Sequence, residues 1–389
     1  MNGNNTVLVL GATGGIGGEM ARQLRDAGWT VRAMQRSVPA AGEFRDGIYW
    51  LRGDAMRQAD VLAAARGCSV IVHAVNPPGY RRWAELVLPM LDNTIAAASA
   101  QGATIVLPGT VYNYGPDAFP LLAETSPQHP LTRKGAIRVT LEQRLQAATQ
   151  QGACVLVVRA GDFFGPQAGN SWFSQGLVKP GQAVRTVRNP GQPGVGHQWA
   201  YRPDVARTMV ALLARRHSLE AFARFHMAGY WDADGTQMAQ AIARVADRRT
   251  GTRPRIVAFP WWLLRLAAPW VATLRELQEM RYLWQQPVRL DKKQKAGETP
   301  AFHLAEPWPA RVHGSGAYFA ASGAAAPSAA GALGSSNLAP AALAMYTTPR
   351  AISVSLKSPP PCGAMAPLPA RAECTRASRP VLMRGPQAA

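Results

Sequence analysis

The run Val7-Leu-Val-Leu-Gly11-Ala-Thr13-Gly14-Gly15-Ile16-Gly17 constrains this chain more than any other stretch. Four apolar residues read as a buried strand, the glycines as a turn, and the residues after them as a helix. Each glycine of the triplet has a separate duty. Gly11 permits the tight turn out of the strand, Gly14 lets backbone approach a diphosphate, and Gly17 allows close helix packing. Around Thr13, Gly15 and Ile16 the helix start offers unpaired amides and a favourable dipole to an anion. A glycine triplet by itself is weak evidence. Its place at the first strand of a βαβ series is what gives it meaning.

That series is visible through residue 107. Strand patterns cover Thr6–Leu10, Thr30–Met34, Ile48–Leu51, Val70–Val75 and Thr104–Leu107, with helical patterns at Gly17–Ala27 and Trp83–Gln101 between them. A further helix pattern, Gly135–Gln150, leads into a strand at Cys154–Arg159. Alternation of this kind predicts an α/β fold, a Rossmann-type doubly wound parallel sheet of at least six strands. The expected division is a dinucleotide-binding domain over 1–160, a smaller substrate lobe over 161–298, and a tail over 299–389. The lobe holds helix patterns at Pro203–Arg215 and Asp234–Ala246 and a tryptophan-rich stretch from Trp261 to Trp284. That stretch could lie on a membrane surface. A core helix is the favoured reading, because Arg265, Pro269 and Arg275 interrupt its apolar face. The tail is Ala-, Pro-, Ser-, Gly- and Arg-rich without period and is expected to be disordered. A genuine disordered tail and a shifted reading frame at the end of a GC-rich gene both fit that composition.

The end of the second strand bears on cofactor choice. An acidic residue there would bind the ribose hydroxyls of NAD and repel a 2′-phosphate. The chain has Met34-Gln35-Arg36-Ser37 instead, where Arg36 and Ser37 can hold a phosphate. NADP is therefore favoured, although an arginine can also stack on adenine, which leaves NAD open. Asp54 after the third strand can accept from the adenine amino group or cap a helix. Ala74, Val75 and Asn76 end the fourth strand and should pass beneath the ribose and nicotinamide.

The net charge of +19 invites a nucleic-acid reading. The arginines are scattered rather than clustered with aromatic residues, so no nucleic-acid partner is expected. No apolar run reaches the roughly 18 residues of a membrane span, and Met1–Asn5 has no signal pattern, which suggests a cytoplasmic protein without a membrane partner. Cys68, Cys154, Cys362 and Cys374 lack metal-ligand spacing, so no metal is expected, and the first two should be buried thiols.

Taken together, these motifs resemble the extended and atypical short-chain dehydrogenase/reductases, specifically the NAD-dependent epimerase/dehydratase family, over roughly residues 5–290. The resemblance rests on Gly11, Gly14 and Gly17, Asp54, His73-Ala74, Val111-Tyr112, Arg159 to Pro166, and Tyr201-Arg-Pro-Asp204-Val-Ala206. It implies a NAD(P)-dependent oxidoreductase or epimerase acting at a carbonyl or hydroxyl carbon of a small polar substrate. A homodimer paired through two helices is a further implication. The family's chemistry uses a Ser or Thr with a Tyr-x-x-x-Lys pair, whose lysine lowers the tyrosine pKa. Here the hydroxyl is Thr110, and the pair is replaced by Lys134-Gly-Ala-Ile-Arg138, with Glu142 at the family's usual offset. Three readings are open. In one, Tyr112, Tyr114 or a desolvated Lys134 takes over proton transfer. In another, the protein binds NADP without turnover, as a sensor or interaction protein. In the third, Lys134 and Arg138 hold phosphate or carboxylate groups, against a bland alternative of a solvated helix face. His197 reads as structural at least as readily as catalytic, and Asp162 as a turn cap.

Overall fold

The computed structural model describes residues 5–77, 82–167, 171–179, 181–270 and 272–291. The tail expected to be disordered lies outside them. In chain order β1 (Thr6–Leu10), α1 (Gly15–Asp26), β2 (Thr30–Gln35), β3 (Glu43–Arg45), β4 (Ile48–Arg52) and α2 (Gln58–Ala65) come first. Then come β5 (Val70–His73), α3 (Trp83–Gln101), β6 (Thr104–Gly109), β7 (Leu121–Leu122), α4 (Arg133–Thr149) and β8 (Cys154–Arg159). Next are β9 (Asp162–Phe164), β10 (Thr186–Asn189), β11 (His197–Tyr201), α5 (Arg202–Ala214), β12 (Phe222–His226) and β13 (Tyr230–Asp232). The last are α6 (Gln237–Thr250), β14 (Arg255–Ala258), α7 (Trp261–Ala267), α8 (Ala272–Glu279) and β15 (Arg289–Leu290).

Eight strands form the main sheet in the order β3-β4-β2-β1-β5-β6-β8-β12. All pair in parallel except the edge strand β3, which runs antiparallel to β4. The period-2 alternation of β1 explains why both faces must be covered. Val7 and Val9 enter one core with Met20 and Leu24 of α1 and Val205, Met209 and Leu213 of α5. Leu8 and Leu10 enter the other, with Val61 of α2, Val87 and Leu91 of α3, and Leu141 and Leu145 of α4. The chain builds outward from β1 to β2 and β4, then crosses back to β5 and continues to β6 and β8. Strand order therefore reverses between β1 and β5, and a ligand crevice belongs at their carboxyl ends.

The sheet draws on more of the chain than its first 160 residues. Strand β12 pairs in parallel with β8 from Phe222↔Val155 to His226↔Arg159, and α5 covers α1. Cys154 corrects an expectation: it opens β8 at the rim and is exposed, whereas Cys68 is buried. A separate aromatic core, including Phe164, Trp172, Phe173, Trp199, Tyr230, Phe259 and Trp284, organises the second lobe around β11 and α6. The tryptophan-rich stretch is not one helix. It breaks into α7, α8 and a 3₁₀ turn at Met280–Trp284, and Pro269 falls in the gap.

Candidate cofactor and active site

The glycine turn is built as tightly as its spacing demands. Gly11 has φ +87°, and a Cβ there would stand 2.5 Å from the carbonyl oxygen of Ala74. That approach joins the end of β1 to the end of β5 across the switch point. A Cβ on Gly17 would collide with the Gly11 carbonyl and lie 3.1 Å from Ala74 Cβ, so helix α1 seats directly on the turn. Gly14 donates to the Gly11 oxygen at 2.9 Å and stands at the N-cap of α1 with no side-chain cap. Amides of the first helical turn are consequently left for an external acceptor. Thr13 and Gly14 are exposed, and Gly15 and Ile16 half-buried. The Gly15 Cα also abuts the guanidinium of Arg202, which donates to the carbonyls of Gln167 (2.8 Å) and Gly165 (2.7 Å). Sequence reasoning quoted Arg202 within Tyr201-Arg-Pro-Asp204 but gave it no place against Gly15, because 187 residues separate the two.

Beyond β2, Arg36 and Ser37 are exposed, and Ser37 Oγ accepts from Gln35 Nε2 at 2.7 Å. The Arg36 guanidinium has no hydrogen-bond or ion-pair partner among the described residues. Asp54 does not cap α2, whose N-cap is Arg57. It turns the chain beforehand instead, with Oδ1 accepting from Met56 N at 3.0 Å. At the end of β5, His73 is fully enclosed. Thr94 spends its hydroxyl proton on the Met90 carbonyl (3.0 Å), so His73 Nδ1 is the donor in its 2.8 Å contact with Thr94 Oγ1. Burial, reinforced by the Arg138 charge, pulls this imidazole down to about 3 and keeps it neutral. Ala74 and Val75 are half-buried and Asn76 exposed, with Asn76 Oδ1 accepting from Trp83 Nε1 at 2.7 Å.

At the carboxyl ends of β6, β8 and β12, against the middle of α4, lies a second polar centre, and it is deeply buried. The guanidinium of Arg159, fully enclosed, donates from Nη2 to both Glu142 oxygens at 2.9 and 2.8 Å and from Nη1 to the Thr110 carbonyl. Glu142 also accepts from Asn113 (3.0 Å) and Gln128 (3.1 Å). Burial would raise its carboxyl, but the Arg159 charge and hydrogen bonds, aided by Gln128 and Arg224, outweigh it and hold it low. His226 sits beside Arg159 Nε at 3.3 Å and contacts the Leu122 carbonyl through Nδ1 at 3.0 Å. Burial first and the Arg159 charge second bring it down to about 3. Tyr114 belongs to this structural cluster. It is fully buried, its hydroxyl is 3.3 Å from His226, and Arg159 stacks over its ring at 5.0 Å. With its hydroxyl held against His226 inside this cluster, Tyr114 is not placed to donate a proton at the crevice lip.

Thr110 is half-buried, with Oγ1 3.3 Å from Asn113 Oδ1, and Tyr112 lies just beyond it in a 3₁₀ turn. A Cβ on Gly135 would strike the Tyr112 carbonyl, so glycine is needed for the start of α4 to press against that turn. Thr132 caps the helix, accepting from Gly135 N at 3.1 Å. Neither replacement residue lies on a solvated face. Lys134 is 1% exposed, and half-buried Arg138 stacks over Trp83 at 4.9 Å.

The sequence model of the NAD dependent epimerase/dehydratase family matches residues 7–228, more than half the chain. This chain belongs to that family. No curated protein sequence matches it. Among solved structures it is similar to MoeE5 in complex with UDP-glucose and NAD, at 17% identity and TM-score 0.60, covering 82% of this chain and 99% of that one. It is also similar to UDP-glucose 4-epimerase from Thermotoga maritima, at 16% identity and TM-score 0.59, covering 81% of this chain and 99% of that one. A third is a functionally unknown conserved protein from Silicibacter pomeroyi, at 21% identity and TM-score 0.55, covering 80% of this chain and 98% of that one. At these identities the likeness is one of fold.

For this member of the epimerase/dehydratase family, the lobe beyond β8 adds a pair that sequence reasoning kept apart. His197 Nε2 lies 2.8 Å from Asp162 Oδ2, and its ring stacks on Trp284 with centroids 3.8 Å apart. Asp162 therefore anchors His197 and is not a turn cap. The signal available beforehand was only that both flank aromatic residues. Among the described residues no group of His, Cys, Asp and Glu is arranged to hold a metal.

Proposed function

We propose that this chain binds NADP and uses it in reduction, oxidation or epimerisation at a carbonyl or hydroxyl carbon of a small polar substrate. The observation that carries the reading is the uncapped start of α1, set at the switch point by the Gly11–Ala74 approach. Amides of Gly15 and Ile16 would hold the diphosphate, with Gly14 letting the backbone approach it, Arg36 and Ser37 the 2′-phosphate, and Asp54 the adenine amino group. Ala74, Val75 and Asn76 would line the ribose and nicotinamide side. The cofactor, when bound, supplies a hydride acceptor or donor.

The chain's own part is to position the substrate and move a proton. Thr110 offers a hydroxyl at the end of β6. Tyr112 lies on the turn against which the start of α4, carrying Lys134, is pressed at Gly135. These two are the proposed proton-transfer candidates, with Arg138 as a fixed charge near the β5 end, where it already acts on His73. A specific observation favours a second reading, binding without turnover: Lys134 and Arg138 stand where the family has tyrosine and lysine.

Titration of the purified chain with NADPH and NADH, followed by fluorescence, tests the first part. Consumption of reduced nicotinamide against a panel of small polar aldehydes and ketones tests the second. Absence of saturable binding at millimolar NADPH would sink both readings. Tight binding with no turnover across the panel would select the second.

A further inference from the structure

The second lobe leaves an apolar surface uncovered. Among the described residues ten large hydrophobic side chains are strongly exposed, and five of them, Ile256, Val257, Trp262, Leu266 and Trp270, fall within one short segment. Trp262, Leu266 and Trp270 are 65%, 61% and 83% exposed. Trp262 and Leu266 are one helical turn apart on α7, and Trp270 lies in the next turn. The opposite face of α7 is already spoken for, since Leu264 and Ala268 enter the lobe's core with Trp261 packed against it. A short helix that is apolar on both faces needs a second apolar contact.

Charge narrows what that contact is. Between Asp247 and Glu276 the sequence has Arg248, Arg249, Arg253, Arg255, Arg265 and Arg275 and no carboxylate. All six arginines are exposed. Alongside β14, which pairs with β10, a recess is lined in part by Lys179, Arg185 and Arg188. A second copy docking through this face would oppose arginine to arginine. The chain's own residues 292–389 carry ten basic and three acidic residues, so they are equally ill matched. What fits is an extended anionic surface with an apolar layer just beneath it.

We propose that residues 253–270 form a docking surface for an anionic lipid bilayer, in which Trp262, Leu266 and Trp270 enter the interface and the arginines engage lipid phosphates. Tryptophan suits that depth because its ring is apolar and its indole N–H remains near the headgroups. Arginine adds attraction that salt weakens. The lobe would lie on the bilayer without crossing it, consistent with no described helix being long and apolar enough to span one. This inference does not depend on the cofactor reading.

The test is flotation of the full chain with vesicles of phosphatidylcholine alone or mixed with phosphatidylglycerol. Binding is expected to the mixed vesicles only, with a blue shift of tryptophan emission and release at high salt. The Trp262→Ser/Trp270→Ser double variant should lose about tenfold or more of its partitioning, and Arg253→Gln/Arg255→Gln/Arg265→Gln a similar share. Both variants keep residues 292–389, so binding carried by that basic segment would survive and overturn the proposal. Absence of flotation at low salt would overturn it too. So would a dimer in analytical ultracentrifugation that Trp270→Ser dissociates, or a soluble acidic protein that competes for the face while vesicles do not bind. Circular dichroism of the variants matching the parent chain checks that the exposed substitutions leave the fold intact.

Discussion

The glycine turn at the end of β1 and the polar centre at the carboxyl ends of β6 and β8, beside α4, occupy the same edge of one sheet, yet they treat sequence differently. In the turn, backbone does the work. Gly11 and Gly17 are fixed by contacts a single Cβ would destroy, and the groups left facing outward are amides that every sequence possesses. At α4 the backbone frame is equally firm, with Gly135 against Tyr112 and Thr132 at the cap, but the chemistry belongs to side chains. There Lys134 and Arg138 ride on a helix whose start is fixed by other residues. A site made of backbone resists change, whereas a site made of side chains can be rewritten on an unchanged frame. The Arg159–Glu142 pair below is part of that frame.

Four measurements would break or sharpen the contrast. Gly11→Val combines a left-handed backbone with a collision against Ala74, and it should cost roughly 4 kcal/mol of stability along with cofactor binding. Denaturant unfolding with parallel NADPH titration reads both, and a variant that binds normally would show that the turn is not the cofactor cradle. Glu142→Gln leaves the enclosed Arg159 charge without its counter-ion and is expected to cost about 3 kcal/mol. Denaturation midpoints check this, and a loss below about 1 kcal/mol would mean the pair is not the frame. Arg36→Ala should weaken NADPH by about tenfold while leaving NADH nearly unchanged. An equal effect on both cofactors would move Arg36 from the phosphate to adenine.

The fourth expected effect is a pH dependence. His73 and His226 have native values near 3, far below the ordinary 6.5, so the unfolded chain binds more protons in that interval. Their contribution is complete above pH 6.5 and declines as the pH falls from 6.5 toward 3. Each can supply a slope of up to about 1.4 kcal/mol per pH unit. Melting temperatures from about pH 7.5 to about pH 5 in the parent chain and in His73→Gln should differ in slope, and parallel curves would place His73 in a less enclosed setting.

Sequence made the first six parallel strands, β1, β2, β4, β5, β6 and β8, and the glycine turn legible because both are local. A buried strand is a run of β-branched residues, and a turn is a glycine spacing. Strand β12 was not legible, since Phe222-Ala-Arg-Phe-His is short, half polar and sits at the sheet's edge. The tryptophan-rich stretch was read as continuous because its apolar residues persist past Pro269. Pairings across long separations left no local trace: Arg159 with Glu142, His197 with Asp162, and Arg202 against Gly15. Tyr114 shows the limit from the other side. Two residues from Tyr112, it has the same chemistry on paper, and only the 3₁₀ turn sends one inward to full burial.

The covering of α1 by α5 has a consequence for how such a protein can be divided. All of the glycine motif lies within the first seventeen residues, which suggests a nucleotide-binding piece that could be cut free after β8. Such a piece would keep every glycine and lose Val205, Met209 and Leu213, the residues that seal Met20 and Leu24 from water. Helix α1, whose start sits on the glycine turn, would then have a bare apolar back. Side chains of α4 can be exchanged one at a time, but the glycine turn and the distant helix behind it stand or fall together.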